Sequence, residues 1–531
     1  FLPGSHLKFV RTAEDDFFKR GSYKQTYGKS FSVSSDINLN YSHNWDKHIL
    51  FANLGANIRS GNSEEYIHSA VGFPNDKMDN IIFAKQYADN SKPTGSESID
   101  REVGTLLAVN YSYDDRYLAD FSLRASASSQ FGSDNRWGTF WSAGLGWNVH
   151  NEAFFKDSGV VRQLRLRASM GYTGSQNFNS YQGMLLYNYF TDDSYLDFIG
   201  TYLEGLANSK LKWQQKFDTN YGIDMNLWGR LNVKFDYYRS VTNNLLTDIT
   251  TPPSLGFNSY KDNLGKLLNT GYEFNVNYLV LTRPEDRMSL NVFVAGTSNK
   301  NKIKEISNSL SSLTSSQDKE AANSNKPFVR FVEGQSLNAI WAVRSKGIDP
   351  SSGKEVFVRP DGTLTDTWSA LDQVVCGDTE PKLMGNVGFT FEYKGLSVSF
   401  TGLYRIGEYM YNQTLVDKVE NAQLNYNVDK RAYYDAWMKE GDNVQFKSIG
   451  AWNKPTQATS RFVQKLNEFD FSALSIGYDF YRFGFVEKCG LERLQLQFNM
   501  NDIGKISSVQ IERGTSYPFA RYCSFTLNVN F

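Results

Sequence analysis

The sequence predicts an all-β transmembrane barrel, and three observations support this fold class. Apolar and polar residues alternate along many segments, short connections alternate with long ones, and the last residues form an aromatic-rich strand. The 531 residues include 15% aromatic side chains, which argues against a disordered chain, and their mean hydropathy is -0.47. No segment approaches the roughly 18 consecutive apolar residues of a membrane helix. Because a barrel strand is apolar on one face only, this composition is compatible with a membrane protein built from strands.

The first hairpin shows the alternation clearly. Between Phe31 and Tyr41 the apolar side chains fall on one face, and serine, asparagine and aspartate side chains fall on the other. A turn is expected at Asn44–Lys47, after which Leu50 to Ile58 returns with the same period of two. Such a pattern predicts a pair of strands with one apolar and one polar face.

The same period predicts about 15 spanning strands, each near the roughly 10 residues that a tilted strand needs to cross a bilayer. The last of them ends on Phe531 and alternates Phe and Leu with Asn and Thr, as expected for a closing strand of a barrel. Two segments, 150–163 and 481–490, are predicted to form short helices. Beyond the first hairpin, the predicted strands are 103–113, 117–125, 137–149, 164–172, 217–227, 231–237, 272–280, 288–294, 385–393, 396–404, 469–480, 493–501 and 521–531.

The connections between these strands fall into two classes, as they do in outer-membrane barrels. Asp349-Pro350 and Asp361-Gly362 are interpreted as the turns of a small hairpin inside one long loop, in preference to calcium ligands. The short connections are Asp114-Asp115, Trp228–Arg230, Arg283–Asp286 and Lys394-Gly395, and the long ones are 60–101, 174–215, 243–269, 300–383 and 406–468.

The polar face distinguishes a barrel from a soluble β-sandwich. Asp224, Lys234 and Asp236 would have to be buried in a sandwich core, at several kcal/mol each unless paired. A water-filled or plugged lumen removes that cost. The parity of the strands places Leu107, Phe121, Leu145, Leu166 and Val529 toward lipid and Asp120, Arg124, Arg165, Arg167 and Asn528 toward the lumen.

Composition and spacing give no indication of catalytic, metal or cofactor chemistry. The three cysteines are far apart and the five histidines form no ligand motif, so neither a metal site nor a cofactor site is predicted. Cys376 is expected in an extracellular connection, Cys489 in a periplasmic one and Cys523 on the lipid face, and all three should be unbridged. A net charge of -1 gives no electrostatic reason to expect a nucleic-acid partner.

An ordered set of motifs resembles a known family. It contains YSYDDRYL at 111–118, SSQFG at 128–132, NRWG at 135–138 and LRLRASMGYTGSQ at 164–176. This set resembles the barrel of SusC/RagA-family TonB-dependent transporters of Bacteroidetes, and the similarity extends from about residue 100 to the end. One departure is Ala125-Ser126-Ala127, where the family commonly carries Arg-Asp-Gly.

The resemblance implies that residues 1–531 are the C-terminal portion of such a barrel, with about 15 of its 22 strands. The N-terminal plug and the first strands would then lie outside this chain. The implied function is active import of an oligosaccharide or peptide across the outer membrane, driven by TonB and assisted by a SusD-like lipoprotein lid on the extracellular face, with no catalytic residues.

Two other functions remain open from the sequence: a TonB-dependent receptor for metal chelates, and a soluble β-rich glycan-binding protein or hydrolase. Aromatic side chains in the long loops are the candidate substrate contacts, because aromatic faces bind sugar rings and apolar peptide side chains alike. These candidates are Trp341, Trp368, Tyr409 and Tyr411.

Overall fold

The computed structural model is dominated by antiparallel strands. The structure describes residues 21–74, 77–78, 80–87, 93–155, 159–175, 185–195, 198–205, 208, 211–244, 246–250, 259–263, 265–306, 314, 318, 321, 323–422, 425, 427–448, 456–481, 483–510 and 521–531. The strands are β1 Ser22–Trp45, β2 His48–Val71, β3 Gln86–Tyr87, β4 Thr94–Tyr113, β5 Tyr117–Ser128, β6 Trp137–Asn148, β7 Val161–Ser175, β8 Leu186–Tyr195, β9 Phe198–Gly205, β10 Gln214–Leu227, β11 Leu231–Asn243, β12 Leu246–Thr250, β13 Ser259–Asn263, β14 Lys266–Arg283, β15 Met288–Glu305, β16 Ala339–Ile348, β17 Glu355–Val358, β18 Leu364–Thr365, β19 Gln373–Asp378, β20 Leu383–Tyr393, β21 Leu396–Tyr411, β22 Val463–Asp479, β23 Arg493–Ser507 and β24 Tyr522–Asn530.

One large sheet contains all the predicted spanning strands. Its order is β1-β2-β4-β5-β6-β7-β10-β11-β14-β15-β20-β21-β22-β23-β24, and the short β3 adds to β2. Each spanning strand pairs with its neighbour along the chain once the strands within the long loops are set aside. The prediction of about 15 antiparallel strands is therefore confirmed.

Helices are short. Gly484–Lys488 confirms the helix predicted at 481–490. The described parts of 150–163, which are 150–155 and 159–163, contain a 3-10 turn at their start and the beginning of β7, but no helix of the predicted kind. Among the described residues, no helix has both the length and the apolar character needed to span a membrane. The remaining bounds are Gln413–Leu415 and Arg431–Tyr434 for α-helices, Val416–Glu420 for a π-helical turn, and Ile81–Phe83, Ser133–Asn135, Val149–Asn151, Pro284–Asp286, Ala370–Asp372 and Ser460–Phe462 for 3-10 turns.

Tight turns join the strands at one end of the sheet, as predicted. At Lys394-Gly395 both residues are left-handed, with φ of 47° and 96°, and the flanking strands pair up to the turn. Two left-handed residues match the right-handed twist of a hairpin, which explains the glycine. Asp114 and Asp115 adopt φ of 52° each, a conformation that aspartate tolerates better than most residues.

The strand register confirms the predicted faces. Arg165 pairs across to Asp224, which pairs to Lys234, and these three side chains share the polar face. Leu166, the next residue, pairs to Ile223 on the other face. The predicted lipid-facing residues Leu107, Phe121, Leu145 and Leu166 are all exposed on that apolar face.

Several strands extend further than their alternation predicts. The loop predicted at 60–101 is shorter, because β2 continues to Val71 and β4 begins at Thr94 with continuous pairing between them. At about 3.3 Å per residue, the 24 residues of β2 greatly exceed the thickness of a bilayer. Outside the membrane both faces of a strand contact water, so the apolar alternation stops there. The backbone hydrogen bonds between β2 and β4 nevertheless continue.

A second, four-stranded sheet of order β18-β17-β16-β19 lies within the connection between β15 and β20. Its two tight turns contain Asp349 and Asp361, whose carboxylates accept hydrogen bonds from Ser351 and Thr363. The predicted hairpin is therefore confirmed. All three cysteines are free, as the predicted topology requires.

Candidate functional site

The luminal face carries an ion cluster at its centre. The guanidinium of Arg167 on β7 donates to both carboxylate oxygens of Asp224 on β10, at 2.9 and 3.0 Å. It also reaches Asp236 on β11, at 3.1 and 3.2 Å. One cation thus links three strands, and two carboxylates share it.

Gly222 makes this arrangement possible. It lies between Arg167 and Asp236 in the strand register, so the arginine must cross over it. A Cβ atom at Gly222 would lie 2.6 Å from Arg167 Nη2 and 2.5 Å from Asp236 Oδ1. A Cβ atom at those distances would push the guanidinium or the carboxylate aside, and glycine therefore leaves room for the guanidinium to pass.

Polar side chains continue along the lumen on both sides of this cluster. Together with neighbouring strands, Arg167 and Asp236 line a cavity of about 740 Å³ that also contains Asn220, Tyr238 and Asn299. Tyr238 donates to Asn299 Oδ1 at 3.1 Å. Such a surface offers hydrogen-bond donors and acceptors together with both signs of charge, which suits a hydrated polar ligand or a second polar protein surface.

At the end of the strands opposite the tight turns, two long loops pack into one body, which we call the loop module. It consists of the described parts of 323–382 and 412–462. A β-bridge joins Val343 of β16 to Thr459, and Trp437 donates its indole N–H to the carbonyl of Pro350 at 2.9 Å. The apolar core of the second loop consists of Val416, Val419, Ala422, Ala432, Ala436, Phe446 and Phe462, with Tyr411 and Leu415 packed against it.

A buried ion network joins the same two loops. Arg461 contacts Glu355 of β17 at 2.8 Å and Glu420 at 2.6 Å, and both carboxylates are almost fully buried. Burial alone would lower the pKa of Arg461, but the two carboxylates outweigh it and raise that pKa. Nearby, burial lowers the pKa of Lys447, whose ammonium donates to Thr456 and Asn421.

All four predicted substrate contacts lie in or beside the loop module, and the packing of Trp341 is the tightest. Trp341 on β16 is 8% exposed, and the guanidinium of Arg330 lies 5.2 Å from its ring centroid. Its indole N–H is buried and has no hydrogen-bond partner within the part of the chain that the structure describes. A buried donor without an acceptor costs about 1–3 kcal/mol, so this position is unusual.

The other three aromatic residues also contact the module. Trp368 donates its indole N–H to the carbonyl of Ala458 at 3.2 Å. Tyr411 donates to the carbonyl of Asn325 at 3.2 Å, whereas the ring of Tyr409 lies against Gly377. Each side chain thus has a packing role, and contact with substrate stays a prediction.

Sequence reasoning missed the two ion clusters. Arg167, Asp224 and Asp236 were predicted to share the lumen, but nothing in their spacing indicates that they touch. Arg461 and Glu355 are 106 positions apart, and no local pattern connects them. Among the described residues, no group of three His, Cys, Asp or Glu side chains could hold a metal ion.

Comparisons with known proteins agree with this architecture. The family model described as TonB dependent receptor-like, beta-barrel matches residues 5–502. The chain is 26% identical to TonB-dependent receptor P39 of Formosa agariphila, over 89% of this chain and 49% of that protein. It is also 26% identical to TonB-dependent receptor SusC of Bacteroides thetaiotaomicron, over 80% of this chain and 43% of that protein.

Among solved structures, the RagAB peptide transporter superposes with a TM-score of 0.79 at 21% identity, covering 92% of this chain and 53% of that one. The chain thus spans about half the length of the curated relatives that it matches. Receptors of this kind reside in the outer membrane, which agrees with the apolar outer face of the sheet. The chain belongs to the TonB-dependent receptor β-barrel family, and it is similar to SusC in sequence and to the RagAB transporter in fold.

Proposed function

We propose that this chain forms the C-terminal part of the barrel of a TonB-dependent importer for an oligosaccharide or a peptide. The observation that carries the proposal is the combination of a polar luminal surface around Arg167 with a packed loop module at the long-loop end of the same strands. A nutrient that enters such a barrel would meet the module first and the polar lumen next.

The remainder of the barrel and a plug would come from a segment that precedes residue 1 in the full-length protein. The large sheet supports this, because β1 pairs with β2 and β24 with β23, and these two outer strands do not pair with each other. Unpaired strand edges are not tolerated in lipid. TonB would act on the preceding segment, so this chain supplies the wall and the loops of the importer.

The proposed substrate class follows from the chemistry of the surfaces and from the relatives. SusC is one of the relatives in sequence, and RagAB, the relative in fold, is a peptide transporter. Aromatic rings in the module and polar side chains in the lumen suit either an oligosaccharide or a peptide. Import breaks no covalent bond, and catalytic residues are not part of the proposal.

The proposed partner is a SusD-like lipoprotein that covers the loop module. The short helix Arg431–Tyr434 presents two exposed tyrosines, Tyr433 and Tyr434, and Met438 is exposed nearby in the sequence. Exposed aromatic residues and methionine are enriched at protein interfaces. These three side chains are therefore the proposed centre of the contact with the lid.

The test uses the full-length protein in its native host. Affinity purification from detergent-solubilised outer membrane should recover a lipoprotein of the SusD type together with the receptor. Deleting TonB should abolish uptake of the labelled nutrient, and replacing Tyr433, Tyr434 and Met438 by serine should reduce recovery of the lipoprotein. Serine at Lys346, Lys354 and Lys439, which are also exposed in the module, is the matched control.

Two results would contradict the proposal. Uptake that continues at full rate without TonB would rule out active import. Purification of the receptor alone, with full uptake after deletion of the neighbouring lipoprotein gene, would rule out the lid.

A further inference from the structure

Four neighbouring strands carry an ordered series of residues on the lipid-facing side of the sheet. On β10, β11, β14 and β15, successive rungs of paired residues differ in the chemical type of their side chains as the strands approach the long loops. On β10, β11 and β14 the first of these rungs is apolar and the second consists of tyrosines, whereas β15 contributes Gly296 and Ser298 to them. The third rung carries cations. The rungs are Ile223, Phe235 and Phe274, then Tyr221, Tyr237 and Tyr272, and then Thr219, Arg239, Thr270 and Lys300.

The tyrosine rung marks the edge of the apolar band. Tyr221, Tyr237 and Tyr272 are direct register partners, and all three are exposed. Aromatic side chains of this kind form girdles where the hydrocarbon meets the head groups. The cationic rung lies one step toward the long loops, and so falls at the level of the outer-leaflet head groups.

Three cations converge just beyond that girdle. Arg239 and Lys300 lie on the same rung, two strands apart, which corresponds to roughly 10 Å between their Cα atoms. Lys302 lies two residues further along β15, on the same face and roughly 7 Å from Lys300. All three are exposed, and none has an acidic partner among the residues that the structure describes. Among the residues whose side chains the structure describes, the nearby Glu305 faces Lys266 at 3.8 Å.

Apolar side chains flank these cations. Lys302 pairs across to Leu268, and Leu268 pairs to Val241, both of which are half-buried. A free phosphate ion would gain nothing from such neighbours. A phosphate that carries acyl chains could place its head group on the cations and its chains along Phe235 and the tyrosines below.

We infer that Arg239, Lys300 and Lys302 form a binding site for the phosphate group of an outer-leaflet lipid. Guanidinium and ammonium groups both donate charge-assisted hydrogen bonds to phosphate oxygens, and arginine does so with two parallel donors. The bound anion also removes the repulsion among three neighbouring cations. The site lies on the outside of the barrel and is separate from the proposed import route.

The test compares charge-removal and charge-keeping variants of the full-length protein. After extraction in mild detergent and transfer to nanodiscs, native mass spectrometry would count bound lipid A, with phosphatidylethanolamine and inorganic phosphate as the other probes. The combined variant Arg239→Gln, Lys300→Gln and Lys302→Gln should lose lipid A affinity by on the order of tenfold to a hundredfold. The variant Arg239→Lys, Lys300→Arg and Lys302→Arg should retain it, which excludes misfolding as the cause.

The control removes three charges far from the membrane boundary, by Lys346→Gln, Lys354→Gln and Lys439→Gln in the loop module. It should bind lipid A as the unmodified protein does. Equal lipid A retention by the charge-removal variant would overturn the site. Full displacement of lipid A by millimolar inorganic phosphate would also overturn it, because the ligand would then be a soluble anion.

Discussion

Arg461 and Glu420 form an ion pair of 2.6 Å inside the loop module, and the Glu420 side chain has no exposure to solvent. The same guanidinium reaches Glu355 on β17, in the other long loop. Two connections separated along the chain are thereby held by one buried cation. Because a buried carboxylate is stable only with a partner, the pairing of these loops depends on Arg461.

Replacing Arg461 with Gln should loosen the loop module. The substitution takes away the cation that Glu355 and Glu420 share, although Thr456 still donates a hydrogen bond to Glu420, and the expected cost is about 3–5 kcal/mol. Hydrogen–deuterium exchange of residues 339–348 and 412–422 should rise strongly in the variant. The control is Lys354→Gln, which breaks an exposed pair with Asp366 and should cost about 0–1 kcal/mol. Unchanged exchange in the Arg461 variant would show that the module does not rely on this pair.

Replacing Gly222 with Ala should separate Arg167 from Asp236. The added methyl group needs space that both side chains occupy, and such overpacking costs typically about 1–3 kcal/mol. The expected result is a lower thermal unfolding temperature of the full-length receptor in detergent. Gly144→Ala is the matched control on the same luminal face, since its nearest contacts are at 3.6 Å or more. Equal unfolding temperatures for the two variants would refute the role assigned to Gly222.

Adjacent residues of β5 should report opposite environments. In a variant whose native cysteines are replaced by serine, spin labels at Phe121→Cys and Asp120→Cys are to be compared. Dissolved oxygen, which concentrates in lipid, should accelerate the spin relaxation of the Phe121 label most, because Phe121 lies on the apolar face. A water-soluble nickel complex should accelerate the spin relaxation of the Asp120 label most, because Asp120 lies on the luminal face, where it accepts a hydrogen bond from Asn110. A reversed pattern would mean that the register is shifted by one residue.

The contribution of Glu152 to stability should depend on pH. Its carboxylate, in the connection after β6, accepts hydrogen bonds from the indole of Trp147 at 3.0 Å and from Tyr117 at 2.8 Å. These donors lower the pKa of Glu152, with burial opposing them. Because the pKa is lower in the folded protein, the stabilisation by Glu152 is fully present above the pKa of the unfolded chain, about 4.3. It is lost as the pH falls through the pKa of the folded protein.

The measurement is chemical unfolding of the unmodified receptor and of Glu152→Gln between pH 7 and pH 3. The difference in stability should be largest at pH 7 and should shrink as the solution is acidified. Glu487→Gln removes an exposed carboxylate from the helix Gly484–Lys488 without removing these contacts, and serves as the control. A difference that grows on acidification would contradict the sign of the pKa shift.

The large sheet could be predicted from the sequence because its determinants are local. A period of two places Leu166 outward and Arg165 inward whatever the rest of the chain does, and a residue such as Gly395 indicates a tight turn by its own conformational freedom. Strand count, strand order and faces follow from these signals. The family resemblance at 111–176 rested on contiguous motifs in the same way.

The tertiary structure decided what has no local pattern. The extent of β2 beyond the membrane depends on a partner strand, since ladder hydrogen bonds persist where apolar alternation has ended. The packing of Trp341 under Arg330 depends on how one long loop folds back on itself. The pairing of Arg461 with Glu355 depends on how two long loops meet, which brings together residues far apart in the chain. The lipid-facing cluster of Arg239 and Lys300 likewise exists only once register places two non-adjacent strands on one rung. Sequence determines which face a side chain occupies, whereas only the fold determines which other side chain it meets there.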